Sequence, residues 1–255
     1  VDWNINSDHT LEFTAFNDRS VDKVGNWDST TPWKKPRGDF KGNDKYTYGG
    51  ENYVAEWRGN FGDNFAVSAL AGVGKYSRAA SIGAATCPIV QDRRVAPTLI
   101  LGCYTDAIVI DPGAGDKRTA YRLDASYQLS NHKLKFGLDD ETVESQDGTR
   151  YSGGEYFFLR TLAAGAELPN GYVNETGSAF DYVQNRIFAN GGKFKTKNSA
   201  FYIADEIALT KDLWVSVGLR SESFKNFNDQ GKTFISVKNT LAPRAGFGWN
   251  LDGTG

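Results

Sequence analysis

The sequence has no methionine, only two cysteines, two histidines and seven prolines. It also lacks any unbroken run of eighteen apolar residues, which excludes a transmembrane helix. That absence says nothing against a transmembrane β-barrel, whose strands alternate and barely register in hydropathy. Neither sign of charge dominates: 29 Lys and Arg stand against 31 Asp and Glu, a net charge of -2. A protein that binds nucleic acid through phosphates carries a strong basic excess, so no such partner is expected. The opening residues VDWNINSDHT contain neither a basic nor an apolar region of the kind a signal peptide needs. The chain therefore reads as a mature form or an internal piece. What the sequence does hold is 28 glycines and 13% aromatic residues, a composition that favours strands and turns over helices.

The stretch KDLWVSVGLRSESF, residues 211–224, sets the pattern. Leu213, Val215, Val217 and Leu219 alternate with Trp214, Ser216, Gly218 and Arg220, which predicts a strand with two unlike faces. TAYRLDASYQLS places Tyr121, Leu123, Ala125, Tyr127 and Leu129 opposite Arg122, Asp124, Ser126, Gln128 and Ser130. After Asn131 and His132, KLKFGLDD repeats the alternation, so the two segments form a hairpin. Further hairpins are expected from Trp3 through NSDHT to Phe13, from Trp57 through NFGDN to Val67, and from Ile203 through TKD to Val215. A last strand, with Leu241, Ala245, Phe247 and Trp249, runs into LDGTG.

Long polar connections, at roughly 18–47, 77–117, 145–192 and 225–238, separate these hairpins, and loops of more than about 15 residues are uncommon in compact domains. Within 145–192, GGEYFFLRT and FDYVQNRIFA look strand-like without alternating cleanly, and are expected beyond a membrane. A soluble β-sandwich would satisfy the same alternation, with aliphatics facing a core and charges facing water. Outer-membrane barrels, however, combine short periplasmic turns with long extracellular loops. Trp3, Phe61, Phe65, Tyr76 and Trp249 near strand ends also suit an interfacial aromatic girdle. The expected fold is therefore all-β: an antiparallel up-and-down transmembrane β-barrel, partial, with about nine membrane strands and long extracellular loops.

NSAFYIADEIALTKDLWVSVGLRSESF followed by LAPRAGFGWNLDGTG resembles the late barrel strands of TonB-dependent outer-membrane receptors, in particular the Oar-like group. The features shared are an aromatic-rich strand, an LTKDL turn, a GLR strand and an APR-GF-W strand, in that order. HTLEFTAFND and YRLDASYQLSNHKLKFGLDDE fit the same barrel grammar. The resemblance implies about 22 strands around a plug domain. It also implies a segment that contacts the TonB complex. Neither plug nor contact segment is recognisable, so residues 1–255 are expected to be one part of the receptor's barrel domain, an internal fragment. The implied function is uptake or export of a scarce solute or peptide across the bacterial outer membrane. The alternatives are a soluble carbohydrate-binding β-sandwich and a passive porin.

No catalytic constellation stands out, and neither enzyme activity nor a cofactor is expected. QGKTF lacks the glycine and the helix of a phosphate-binding loop. His9 and His132 fall in short turns without grouped metal ligands. The acidic run Asp139, Asp140, Glu141 and Glu144 reads as a solvated strand end, and Asn174-Glu175-Thr176 as a chance glycosylation triplet. Cys87 and Cys103, inside one polar stretch, are a candidate disulfide for an oxidising compartment. Glu56, Arg58, Arg122, Asp124, Glu206, Arg220 and Arg244 are candidates to face the lumen in rows of mixed sign, against a plug or along a solute path. Lys193, Lys195 and Lys197 share one face and are candidates to meet lipopolysaccharide phosphates at the extracellular rim, with outer-membrane lipid around them. Trp27, Trp33, Tyr46 and Tyr48 are placed either to stack on a ligand or to pack on one another. Asp205 falls on the apolar face, at the interface or at a bulge.

Overall fold

Strict alternation makes a strand whose two sides meet different surroundings, and each alternating segment is a strand in the structure. The computed structural model describes residues 1–27, 38, 40–83, 87–102, 108–110 and 113–251. In chain order the strands are β1 (Asp2–Asn4), β2 (His9–Asn17), β3 (Ser20–Trp27), β4 (Phe40–Phe61), β5 (Phe65–Ser81), β6 (Ile89–Asp92), β7 (Leu99–Ile100), β8 (Ile108–Ile110), β9 (Gly115–Leu129), β10 (His132–Leu162), β11 (Phe180–Ala208), β12 (Leu213–Phe227) and β13 (Thr233–Trp249). The described residues contain no helix. All the strands belong to one sheet, whose main path runs β1-β2-β4-β5-β9-β10-β11-β12-β13, with every neighbouring pair antiparallel. That path supplies the nine strands expected, and the sheet is the open wall of a partial barrel.

One end of the wall carries the short turns. Asn6 accepts bonds from the amides of Asp8 and His9, closing the link between β1 and β2. Leu129 pairs directly with His132, leaving only Ser130 and Asn131 in the turn, and Ser130 takes a positive φ of 54°. Thr210 accepts from the amides of Asp212 and Leu213 in the TKD turn.

At the other end the long connections are built mostly as strand. Residues 18–47 hold the arms of the β3–β4 hairpin, and β10 and β11 stay paired as far as Leu162 and Phe180. The connection expected at 225–238 shrinks to a turn in which Asn228 accepts from the amides of Gln230 and Lys232. A membrane crossing needs about 9–11 strand residues. β10 has 31 and β11 has 29, so most of this hairpin stands outside the bilayer. There both faces meet water or protein, so nothing enforces a polar-apolar period on strands that are nevertheless paired over most of their length. Among the described residues, the connections expected at 18–47, 145–192 and 225–238 are present largely as projecting strand pairs.

Two irregularities shape these projections. Between β2 and β3, Asp18 accepts from the Gly50 amide at 2.7 Å while its own amide donates to the Gly50 carbonyl. Gly49 turns there at φ 75°, and a Cβ on it would lie 2.3 Å from the Asp18 carbonyl oxygen. In β10, the register against β11 shifts between Arg150 and Glu155. Ser152, fully buried within that bulge, donates to the Cys87 carbonyl at 3.0 Å. The bulge brings β6 alongside β10, where it pairs in parallel with Tyr156–Leu159, and Ile89, Tyr156 and Phe158 form a small buried core.

Asn174 fixes the tip of the β10–β11 hairpin. Fully buried, it donates through Nδ2 to the carbonyls of Leu162, Ala163 and Ser178 and accepts from the amide and hydroxyl of Thr176. A glycan on this nitrogen would replace one of its two hydrogens and crowd the three carbonyls packed around it, so in this structure the Asn-Glu-Thr triplet is a structural staple. Asn174→Ala strands these groups at a cost of about 1–3 kcal/mol. Amide exchange at residues 163–179 should accelerate while the thermal midpoint of the transmembrane wall stays unchanged; equal exchange in both proteins would refute this account.

Candidate functional site

The period of two, combined with the register, sorts every transmembrane side chain onto one of two faces. Glu56, Arg58, Arg122, Asp124, Glu206, Arg220 and Arg244 all fall on the same face: Glu56 lies across from Leu70, Leu70 from Arg122, Arg122 from Asp139, and Gly218 from Arg244. These residues are not a row of separate charges. Arg122 Nε donates to Asp124 at 2.6 Å and lies 3.7 Å from Asp139, whose other oxygen accepts from Arg220 Nη1 at 2.9 Å. Arg220 Nε also donates to Glu222 at 2.6 Å. Arg58 is held by Glu56 at 2.6 Å and Glu12 at 3.4 Å, Lys135 by Glu206 at 2.5 Å, and Arg118 by Glu141 at 2.6 Å. Arg244 is in no ion pair among the described residues. Asp139, Lys135 and Glu222 join them: the alternation puts all three on the polar side of their strands, although they are not among the seven candidates. The same alternation divides the acidic run, with Asp139 and Glu141 on this face and Asp140 and Glu144 on the other.

Glycines let two aromatic rings lie flat on this face. The Tyr202 ring covers Gly137, where a Cβ would come within 1.9 Å of it, and the Tyr202 hydroxyl donates to Asp124 at 2.5 Å. Trp214 lies over its cross-strand neighbour Gly248 in the same way. Both rings are thereby turned along the wall and occupy space that a β-carbon would otherwise fill.

The opposite face is apolar and uncovered. Phe65, Tyr127, Leu123, Leu138, Phe201, Ile203, Val217, Leu219, Leu241, Phe247 and Trp249 are all exposed large hydrophobics. At the short-turn end, His9 stacks on Trp57 and meets Phe61 edge-on, giving the aromatic rim expected of a membrane interface. Tyr76 does not join that rim. The register pairs it with Asp116, on the face of Arg118 and Arg122, because it is an even-numbered residue on a strand whose outward positions are odd. A soluble sandwich would need a second layer over the apolar face, and none exists among the described residues.

Asp205 sits on the apolar face in unbroken register, not at a bulge, and its carboxylate lies 2.7 Å from His132 Nδ1 beside the short turn. Lys193, Lys195 and Lys197 share this face as expected, towards the far end from the short turns. Two of them are engaged: Lys195 lies 3.1 Å and Lys193 3.5 Å from Glu144. Lys197 pairs across the ladder with Lys225, so the cluster keeps a cationic excess.

Beyond the bilayer, Tyr46 and Tyr48 stack on each other and Trp27 meets Phe40 edge-on, so these aromatics pack together; Trp33 lies outside the described residues. Cys87 is disulfide-bonded, and Cys103, the chain's only other cysteine, lies outside the described residues. At the end of β6, Asp92 and Asp181 hold Arg94 from two sides, each at 2.7 Å, and Thr161 donates to Asp181. No cluster of three metal-ligating side chains occurs among the described residues.

A wall of antiparallel strands with an ion-paired face, an uncovered apolar face and strand extensions projecting from the end opposite a row of short turns defines an outer-membrane β-barrel. Residues 2–254 match the TonB dependent receptor-like β-barrel family, and the chain belongs to it. Among solved structures, the outer membrane transporter YddB from Escherichia coli is similar at a TM-score of 0.50 and 10% identity, over 99% of this chain and 29% of that one. P. aeruginosa FpvA bound to heterologous pyoverdines gives 0.52 and 14%, over 98% and 32%. FpvAI in complex with pyocin S2 gives 0.52 and 14%, over 98% and 33%. The likeness is one of fold, and this chain spans about a third of the length of these receptors. None of the curated proteins compared matches it.

The hydrogen bonds from Arg94 lower the Asp92 carboxyl from its ordinary value to about 2. A depressed carboxylate contributes stability that is full above the unfolded value, about 3.9, and is lost as pH falls through the folded one. Exchange at residues 89–94 should therefore accelerate between about pH 4 and pH 2, and Arg94→Gln should move that transition upward; a transition at the same pH in both proteins would refute the coupling.

Proposed function

We propose that residues 1–255 form part of the barrel domain of a receptor that carries a scarce solute or peptide across the outer membrane, with energy supplied by the TonB complex through a segment outside this chain. The chain itself performs no bond chemistry. The observation that carries this reading is the pairing of a self-compensated ionic face with an uncovered apolar face across the same strands. Lipid accepts the apolar face, and a water-filled lumen accepts the ionic one. In this reading Glu56, Arg58, Arg122, Asp124, Glu206, Arg220 and Arg244 line the lumen. Because Asp139 bridges Arg122 and Arg220, much of that lining is already satisfied without a plug, and a plug surface would meet hydrogen-bonding groups of balanced charge. The transporters among the fold relatives support uptake in general without selecting a solute. Cys87 is joined to Cys103 in this proposal, since no third cysteine exists; a peptide map without reductant would show the linked pair.

The test uses the full-length receptor in its own outer membrane. A deletion strain should lose an energy-dependent uptake that the receptor restores and that a strain lacking TonB does not show. Uptake that persists without TonB would turn the reading towards a passive porin. If the ionic rows hold a plug, Arg122→Ala with Arg220→Ala should raise passive entry of a bulky antibiotic while leaving the barrel folded; unchanged leakage would remove the plug contact.

The second part of the proposal assigns Lys193, Lys195 and Lys197 to lipopolysaccharide phosphates, supported by their shared outward face and by the excess of lysine over Glu144. Replacing all three by Gln should lower the thermal midpoint more in lipopolysaccharide-containing vesicles than in phospholipid alone. An equal loss in the two membranes would show that only the Glu144 pairs matter.

A further inference from the structure

Above the bilayer, the sheet formed by β6, β10 and β11 separates its charges by face. On one side Asp92, Asp181 and Thr161 occupy Arg94. On the other side three more guanidinium groups converge on the ring of Phe158: Arg93 at 4.1 Å, Arg186 at 4.8 Å and Arg160 at 5.2 Å from its centroid. Phe158 is only 2% exposed and is stacked on Tyr156, so the floor under the cations is fixed. No carboxylate pairs with any of these three arginines among the described residues. The Arg93 side chain bonds only the neutral amide oxygen of Gln91, and the buried Nε of Arg160 has no acceptor among the described residues.

Three cations gathered on one ring lie within about 10 Å of one another, comparable to the Debye length at physiological salt. Cation–π attraction holds each in place, but it does not neutralise their mutual repulsion. The arrangement is thus preorganised, cationic and short of acceptors. Arg186 also lies on the same alternation of β11 as Tyr202 and Glu206, so the cluster stands on the face that continues the ionic side of the transmembrane wall.

We infer that Arg93, Arg160 and Arg186 form a site for an oxyanion, a carboxylate or phosphate group, through which the receptor first captures its solute above the lumen. This rests on the transport reading proposed above. An oxyanion fits because planar guanidinium forks bond carboxylate and phosphate oxygens in pairs, and because its charge relieves the repulsion within the cluster. It would also supply the acceptor that Arg160 Nε lacks. Phe158 lies beneath the cations, so its role is to hold them and not to stack on the solute.

The test is equilibrium dialysis of the full-length receptor in detergent against radiolabelled citrate and, separately, inorganic phosphate, at constant ionic strength set with chloride. At least one probe should bind saturably. Arg93→Gln with Arg186→Gln should weaken that binding at least tenfold, Arg93→Lys with Arg186→Lys should weaken it less, and Arg94→Gln, on the opposite face, should leave it unchanged. Preference for citrate would indicate a carboxylated solute, and preference for phosphate a phosphorylated one. Heat-modifiable mobility on gels reports that each variant is folded; should the double variant fail to fold, the exposed single change Arg186→Gln carries the same expectation. Absence of saturable binding of both probes by the unaltered receptor, or full binding by a folded Gln variant, would overturn the inference. Binding is read without transport, so a receptor that binds citrate but does not need TonB would sink the transport reading and leave this site standing.

Discussion

A strand in hydrocarbon has no water to bond its amides and carbonyls, so every backbone group must find its partner in a neighbouring strand. The ladder from β1 to β13 answers that constraint, and the rest of the structure depends on it. Once the ladder is continuous, side chains have only two faces to choose from. The register then decides which charges become neighbours: Arg122 meets Asp139, and Lys135 meets Glu206, because the strands are paired as they are. The short turns keep consecutive strands in that register, with no slack for a slip that would carry charge onto the lipid face.

The ionic face combines wetness with order. A polar lumen could be lined by separate charges, yet here nearly every one has an opposite partner on its own or an adjacent strand. Such pairs are individually weak where water reaches them. Together they orient the side chains along the wall, while Tyr202 over Gly137 and Trp214 over Gly248 fill the gaps left by missing β-carbons. Trp214, large and aromatic among small polar residues, thus packs against the wall itself. Beyond the bilayer the organisation changes. Bulges, a disulfide and a small core around Phe158 make the strand extensions rigid, and rigidity is what allows unpaired guanidinium groups to be held close together.

Legibility followed the solvent contrast. Leu213, Val215, Val217 and Leu219 could be placed from the sequence because lipid and lumen impose opposite demands on successive residues. The same alternation put all seven lumen candidates on one face. Tyr76 was misplaced although its parity along β5 from Phe65 carried the answer. GGEYFFLRT read poorly because Tyr156 and Phe158 pack into a local core while Phe157 and Leu159 between them are also apolar, leaving no period to see. Asp139 was taken as a solvated strand end because its partners, Arg122 and Arg220, come from two other strands.

The sequence by itself determined that this chain forms two-faced strands, where the short turns fall, and which residues share a face, since a period of two is a local property of the backbone. Only the tertiary structure decided which charges pair, that Asp205 is answered by His132, and that Arg93, Arg160 and Arg186 meet over Phe158. Most of those contacts join residues on different strands, and their proximity is set by register and bulges. Neither is written in the order of residues along any one strand.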